Sequence, residues 1–298
     1  MSENITWRNH YIPQFILRSF LNKDIKKVYC LDVFKKDAEW LENTTKNCGY
    51  KKHLYTFKNS DSLEKSISTI ESDFSRIVKQ IKSEYLKNIV LSNKHVSFYF
   101  DINDKDSIEI CSLYLALQYI RNPLFFQKNS DFRQCYYEEN YNSQNGTFSK
   151  SIYRNEDLIP SIFNLLPNIL NIIKDDYFLC VYFSYSKNII LPDSGIGEIF
   201  NLKNLNNILV LPVSSKILVI AIRKEKRYCF LENFMNKDKK EQADHFEWFQ
   251  NILNNNIHST IFCKEKVSDT ILTEIRKKKY LNAFFLREKF YIPNTEYN

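Results

Sequence analysis

ILVLPVSSKILVIAI, residues 208–222, is the most apolar stretch of the chain, and Ser214, Ser215 and Lys216 break it in the middle. The break leaves it too short and too polar to span a bilayer, so no membrane partner is expected. Two runs of branched aliphatic residues around a polar interruption read instead as strands joined by a turn. DYFLCVYFSY, NIIL, NILVLPV, KILVIAI and RYCFLEN repeat the pattern between residues 176 and 233, separated by short turns. The region therefore predicts an antiparallel sheet, ordered as a meander.

Upstream the apolar period becomes helical. From Asp61 to about Lys87, Leu63, Ile67, Ile70, Phe74, Ile77 and Ile81 recur at spacings of four and three, behind a capping residue at Asp61 or Ser62. Nearly three heptads would also suit a coiled coil. A partner lies closer, however. Residues 104–128 carry Ile110, Cys111, Leu113, Leu115, Ala116, Leu117 and Ile120 almost all round, which predicts a buried central helix, kinked or ended at Pro123. The seam is thus expected to pack within the chain, with no coiled-coil dimer. Further helices are predicted over 157–174, around Pro160 and Pro167, and at about 238–261 and 268–288. Near the N-terminus, residues 9–22 read as a short helix with Pro13 at its start, and KKVYCLDV (27–34) and HLYTF (53–57) read as strands. The Asn-, Tyr- and Ser-rich segment 129–155 reads as a loop or insertion.

The predicted class is α+β, helix-rich, with a long helix pair and a C-terminal antiparallel sheet. No repeat and no Pro-, Gly- or Ser-rich linker divides the chain. Residues 1–298 read as one domain: an N-terminal helix plus strands over 1–60, a helical part over 61–175, the sheet over 176–233 and closing helices over 234–298.

Composition narrows the function. The 298 residues are 44% hydrophobic and 15% aromatic, enough for a large core, and include only four glycines. Neither GxGxxG nor GxxxxGK[ST] occurs, which excludes the usual glycine-rich phosphate cradles. The seven cysteines are scattered and never spaced CxxC, unlike a secreted disulfide framework or a zinc site. MSENITWRNHY has no basic start followed by an apolar run, so no signal peptide is expected. These features predict a cytoplasmic protein with reduced thiols. Net charge is +7. That makes nucleic acid a candidate partner without requiring one, because the excess is dispersed and charges beyond about 8 Å are screened. The basic run at 276–279 reads as a solvated face or as a contact with nucleic acid.

NHYIPQFILRSF (9–20) resembles the opening of the bacterial domain-of-unknown-function family 4238, through Asn9, His10, Tyr11, Pro13, Gln14, Leu17, Arg18 and Phe20. LYTF (54–57), TIES (69–72), LALQYIRNP (115–123), VLPVSSKILV (210–219) and NILNNNIHSTIF (251–262) resemble later family segments in the same order. In LPDSG the family's Ser-Asp-x-Pro is matched only by Asp193. The resemblance implies a shared fold and a bacterial setting, and it brings no established activity.

The candidate site residues follow from spacing and residue type. Gln14 and Arg18, four apart, share a helix face just after Asn9 and His10. Together they suit either phosphate binding, with His10 as a general base, or a hydrogen-bonded lock of the N-terminus on the core. Gln118 and Arg121 lie on the central helix. A buried arginine needs a carboxylate, an exit to solvent or a ligand, and Asp193, Glu71 or Glu109 are the candidate carboxylates. Asp193 sits in a Pro192–Gly195 turn, where it suits a catalytic carboxylate or an Asx-turn. His10, Arg121 and Asp193 are thus the candidate catalytic residues, and Asn9, Gln14, Arg18 and Gln118 the candidate binding residues. HExxH is absent, no metal site is predicted and no cofactor is specified. Two functions stand side by side: a nucleic-acid-directed hydrolase, as in a defence-type effector, and a non-catalytic module that binds a ligand or partner.

Overall fold

The computed structural model describes residues 8–35, 37–52, 62–92, 98–122, 141–142, 147–148, 163–185, 187–199, 208–226 and 239–277. The first half forms β1 (Arg8–His10), α1 (Gln14–Arg18), β2 (Val28–Asp32), β3 (Leu41–Asn43), β4 (Tyr50–Lys52), α2 (Ser62–Ser92), β5 (Phe98–Asp101) and α3 (Lys105–Ile120). After the small strands β6 (Tyr141–Asn142) and β7 (Thr147–Phe148) come α4 (Leu166–Asp176), β8 (Tyr177–Phe183), β9 (Leu191–Pro192) and β10 (Gly197–Ile199). β11 (Ile208–Ser214), β12 (Ile217–Arg223), α5 (Lys239–Asn255) and β13 (Thr260–Cys263) follow, and residues 269–277 are helical.

The stretch 208–222 is the hairpin β11–β12, with Leu211 opposite Val219 and a register shift between Pro212 and Ser214. It lies inside an antiparallel five-stranded sheet of order β10-β11-β12-β8-β5. Every residue of β11, and Ile217–Ile222 of β12, is buried. Strands covered on both faces read as unbroken apolar runs rather than as alternation. The covering elements are α1 and α5 on β11, and α4 on β8.

The predicted meander does not form. β8 pairs with β12 rather than with its sequence neighbour. The edge beside β8 is filled by β5, from between the two long helices. NIIL contributes only Leu191 to a strand, and that strand joins a second sheet of order β3-β2-β13-β9. RYCFLEN and HLYTF lie outside the described residues. Within 129–155, β6 and β7 pair with each other.

The helix pair holds as predicted, with α2 packed on α3. Ile67, Phe74, Ile77 and Ile81 are buried within the chain. Leu63 and Ile70 pack on the Ile67–Leu117 cluster, and Phe74 stacks on Tyr114 at 3.9 Å and 6°. α3 starts at its cap Asp104, which accepts the Ser107 backbone N–H at 2.7 Å. It ends at Ile120 instead of 128, because the residue before Pro123 is pushed out of helical backbone. α4 spans Leu166–Asp176 with a proline in its first turn, and residues 157–162 of the expected helix lie outside the described residues. α5 stops at Asn255, and the end of the expected helix, 260–261, belongs instead to β13.

The largest local correction is at the N-terminus. Residues 9–22 are not one helix: 8–10 pair with 50–52, and helix spans only Gln14–Arg18. Pro13 takes φ −59° and ψ 144°, and the Tyr11 and Ile12 N–H groups both donate to the Gly49 carbonyl. Ile12 precedes a proline, so extended backbone is its easier conformation. Among the described residues no helix is long and apolar enough to cross a membrane.

Candidate functional site

Gln118 is the junction of the candidate residues. α3 is buried on nearly every side, so a polar side chain on it must find partners inside the protein. The Gln118 Nε2 group donates to the carbonyls of Tyr11 and Ser194, both at 3.2 Å. One amide therefore ties the residue after His10 to the residue after Asp193. Its oxygen accepts from Arg121 Nε at 2.8 Å and from the Tyr114 hydroxyl at 3.4 Å. Close approach of the 192–195 turn requires Gly195. Its φ is +70°, and a Cβ there would stand 2.3 Å from Gln118 Nε2.

Arg121 is fully buried, and its charge is met inside the chain. Nη1 pairs with Glu71 from α2, and Nη2 donates to the Tyr114 hydroxyl at 2.8 Å. Of the three candidate carboxylates, Glu71 is the partner. Glu109 pairs with Lys174 at the surface, and Asp193 is engaged elsewhere. The Glu71 side chain keeps 22% of its surface exposed, so the pair sits at the edge of the core.

Asp193 is buried and bonded across the chain rather than within an Asx-turn. Its Oδ1 accepts the His258 N–H at 2.7 Å. Its Oδ2 accepts the Ser259 N–H at 2.8 Å, the Ser259 hydroxyl at 3.0 Å and the Thr260 N–H at 3.0 Å. Its own N–H donates to the Thr260 carbonyl, extending the β9–β13 ladder. The carboxylate thus organises the loop between α5 and β13.

The N-terminal residues divide by face. Asn9 is buried, and its Nδ2 donates to Glu64 of α2 at 3.2 Å. His10 is half-buried on β1, its ring 5.9 Å from that of Tyr50, its cross-strand neighbour. Gln14 and Arg18 share a helix face, as their spacing predicts, and Arg18 Nη2 donates to Gln14 Oε1 at 3.3 Å on the exposed side. Ile16 and Leu17 face inward. Burial raises the Tyr11 hydroxyl well above its ordinary pKa, and the Asp193 carboxylate adds to the effect.

The sequence reading missed Glu64, Tyr114, Tyr11 and Gly195. Tyr114 precedes Gln118 by four and Arg121 by seven, and Glu64 precedes Glu71 by seven, so helical spacing alone places each pair on one face. Nothing local marks the bonds from Asp193 to 258–260. Among the described residues, no group of three or more His, Cys, Asp or Glu side chains is placed to hold a metal ion.

These features define an α+β protein in which an N-terminal strand and helix are locked to a central helix by a buried polar network. The family described as "Protein of unknown function (DUF4238)" matches residues 8–255, and the chain belongs to it. No curated protein and no solved structure matches the chain.

Proposed function

We propose that this protein is a non-catalytic binding module, whose binding face is formed by Gln14 and Arg18 on the exposed side of α1, beside the half-buried His10. The observation that carries this reading is the internal commitment of the two groups best suited to catalysis. The Asp193 carboxylate accepts bonds from the 258–260 loop, and the Arg121 guanidinium is spent on Glu71, Gln118 and Tyr114. A general base or an anion clamp needs capacity left over for a substrate. Exposed Arg18 and the net charge of +7 favour an anionic partner, nucleic acid among them. A bacterial cytoplasm suits the chain, because Cys30, Cys48, Cys111, Cys180 and Cys263 are free thiols.

The test uses fluorescently labelled single- and double-stranded DNA and RNA, with anisotropy read for binding and gels read for cleavage. Binding that weakens in Arg18→Glu, at an unchanged melting temperature and without strand cleavage, is the expected result. Cleavage by the wild type that disappears in His10→Ala would replace this reading with the hydrolase, including a defence-type effector. Equal behaviour of wild type and Arg18→Glu would remove the proposed face.

A further inference from the structure

Two thiols eighteen residues apart meet in the core. Cys30 lies in β2, and Cys48 follows a 3-10 turn at Thr45–Asn47. Their sulfurs are 3.3 Å apart, and each residue is 4% exposed. The Cys48 sulfur also lies 3.4 Å from the Thr44 carbonyl, which closes the local turn. Cys263 is not a competitor. It stands opposite Tyr29 in the β2–β13 register, so alternation puts it on the other face of the sheet from Cys30. The clustering of side chains agrees, with Cys30 and Cys48 in the main core and Cys263 in the smaller one.

We propose that Cys30 and Cys48 are a peroxide-sensitive dithiol, oxidised reversibly to a disulfide that fixes the β1–β4 edge of the candidate site. The reading is independent of what the His10–Arg18 face binds. A disulfide bond is about 2.05 Å long, so the sulfurs need to close by little more than 1 Å. Cys30 is the attacking thiol. The contact between the two sulfurs lowers the Cys30 pKa and raises that of Cys48, to which burial adds. The Cys30 thiolate attacks one oxygen of hydrogen peroxide, the O–O bond breaks, and the departing hydroxide takes a proton to become water. Cys48 then attacks the Cys30 sulfenic acid. The S–S bond forms, the S–O bond breaks, and the Cys48 proton leaves with that hydroxide as a second water. Two electrons pass from the thiols to one peroxide, and because each residue is only 4% exposed the peroxide reaches the pair through local opening of the fold.

The consequence follows from the neighbours of Cys48. The next residue, Gly49, accepts the Tyr11 and Ile12 N–H groups, and β4 directly after it pairs with β1. A Cys30–Cys48 bond therefore joins β2 covalently to the segment that positions Asn9 and His10. Closing a loop of this length restrains the unfolded chain more than the folded one.

The experiment treats the full-length reduced protein with hydrogen peroxide, alkylates it in denaturant and maps its peptides by mass spectrometry. The expected product is a peptide pair linked through Cys30 and Cys48. Dithiothreitol should reverse the link, and the oxidised form should melt about 5 °C higher than the reduced form. In Cys48→Ser, Cys30 should accumulate as sulfenic or further oxidised species, with no link to another cysteine. The mapping needs only the wild type, so poor folding of the variant leaves the test intact. Full alkylation of both residues after peroxide, a link through other cysteines, or an oxidised form that melts no higher than the reduced one would overturn the proposal.

Discussion

Glu71→Ala removes the carboxylate from a buried guanidinium. Arg121 is fully buried, and its bonds to the neutral acceptors Gln118 Oε1 and Tyr114 Oη do not replace the lost charge. Breaking a buried ion pair costs about 3–5 kcal/mol, and the partial exposure of Glu71 places this pair at about 3. A chain of this size unfolds with an entropy of about 0.6 kcal/mol/K, so the melting temperature should fall by about 5 °C. The double variant Glu71→Leu/Arg121→Met removes both charges and fills the space with apolar atoms, which should restore most of the loss. Thermal melts followed by circular dichroism, with urea titrations on all four proteins of the corresponding cycle, measure the coupling. A Glu71→Ala protein that melts with the wild type would refute the reasoning, because Arg121 would then not depend on Glu71.

Three further outcomes follow from the same contacts. Gly195→Ala places a side chain at φ +70° and against Gln118 Nε2, so it should destabilise the protein by about 2–3 kcal/mol in a denaturant titration. Asp104 accepts the Ser107 backbone N–H, which holds its carboxyl below the ordinary carboxylate range. Its contribution is therefore present at neutral pH and lost as the pH falls through the folded-state value. Asp104→Ala should cost about 1 kcal/mol at neutral pH, and the gap from wild type should close in strong acid. Leu117→Asp puts a charge into the α2–α3 packing and should leave no cooperative melt, whereas a soluble, cooperatively melting variant would contradict the central place of α3.

What was legible in the sequence was what repeats locally. The α2 seam and the apolar circumference of α3 predicted the helix pair, and a buried arginine narrowed its partner to Asp193, Glu71 or Glu109 without choosing among them. What was not legible depends on pairings far apart in the chain. β2 meets β13 across more than two hundred residues, and β5 joins the main sheet from a connection between helices. Neither leaves a periodic trace. β1 is three residues long, too short for alternation to register, and Pro13 drew its residues into a helix reading. Asp193 was found as a singular residue, but its partners are backbone N–H groups, which every residue but proline carries. Cys30 and Cys48 were noted only as unpaired in spacing, since closeness of two thiols is a property of the folded chain.

On the proposed reading, Arg121 and Asp193 hold this fold together instead of contacting a substrate. The most direct measurement is the melting temperature of Arg121→Ala and Asp193→Ala, taken beside a cleavage assay on DNA and RNA. Both variants should melt several degrees below the wild type, since each leaves buried groups without partners, and none of the three proteins should cleave. Two variants that melt with the wild type but lose a cleavage activity that the wild type has would contradict it.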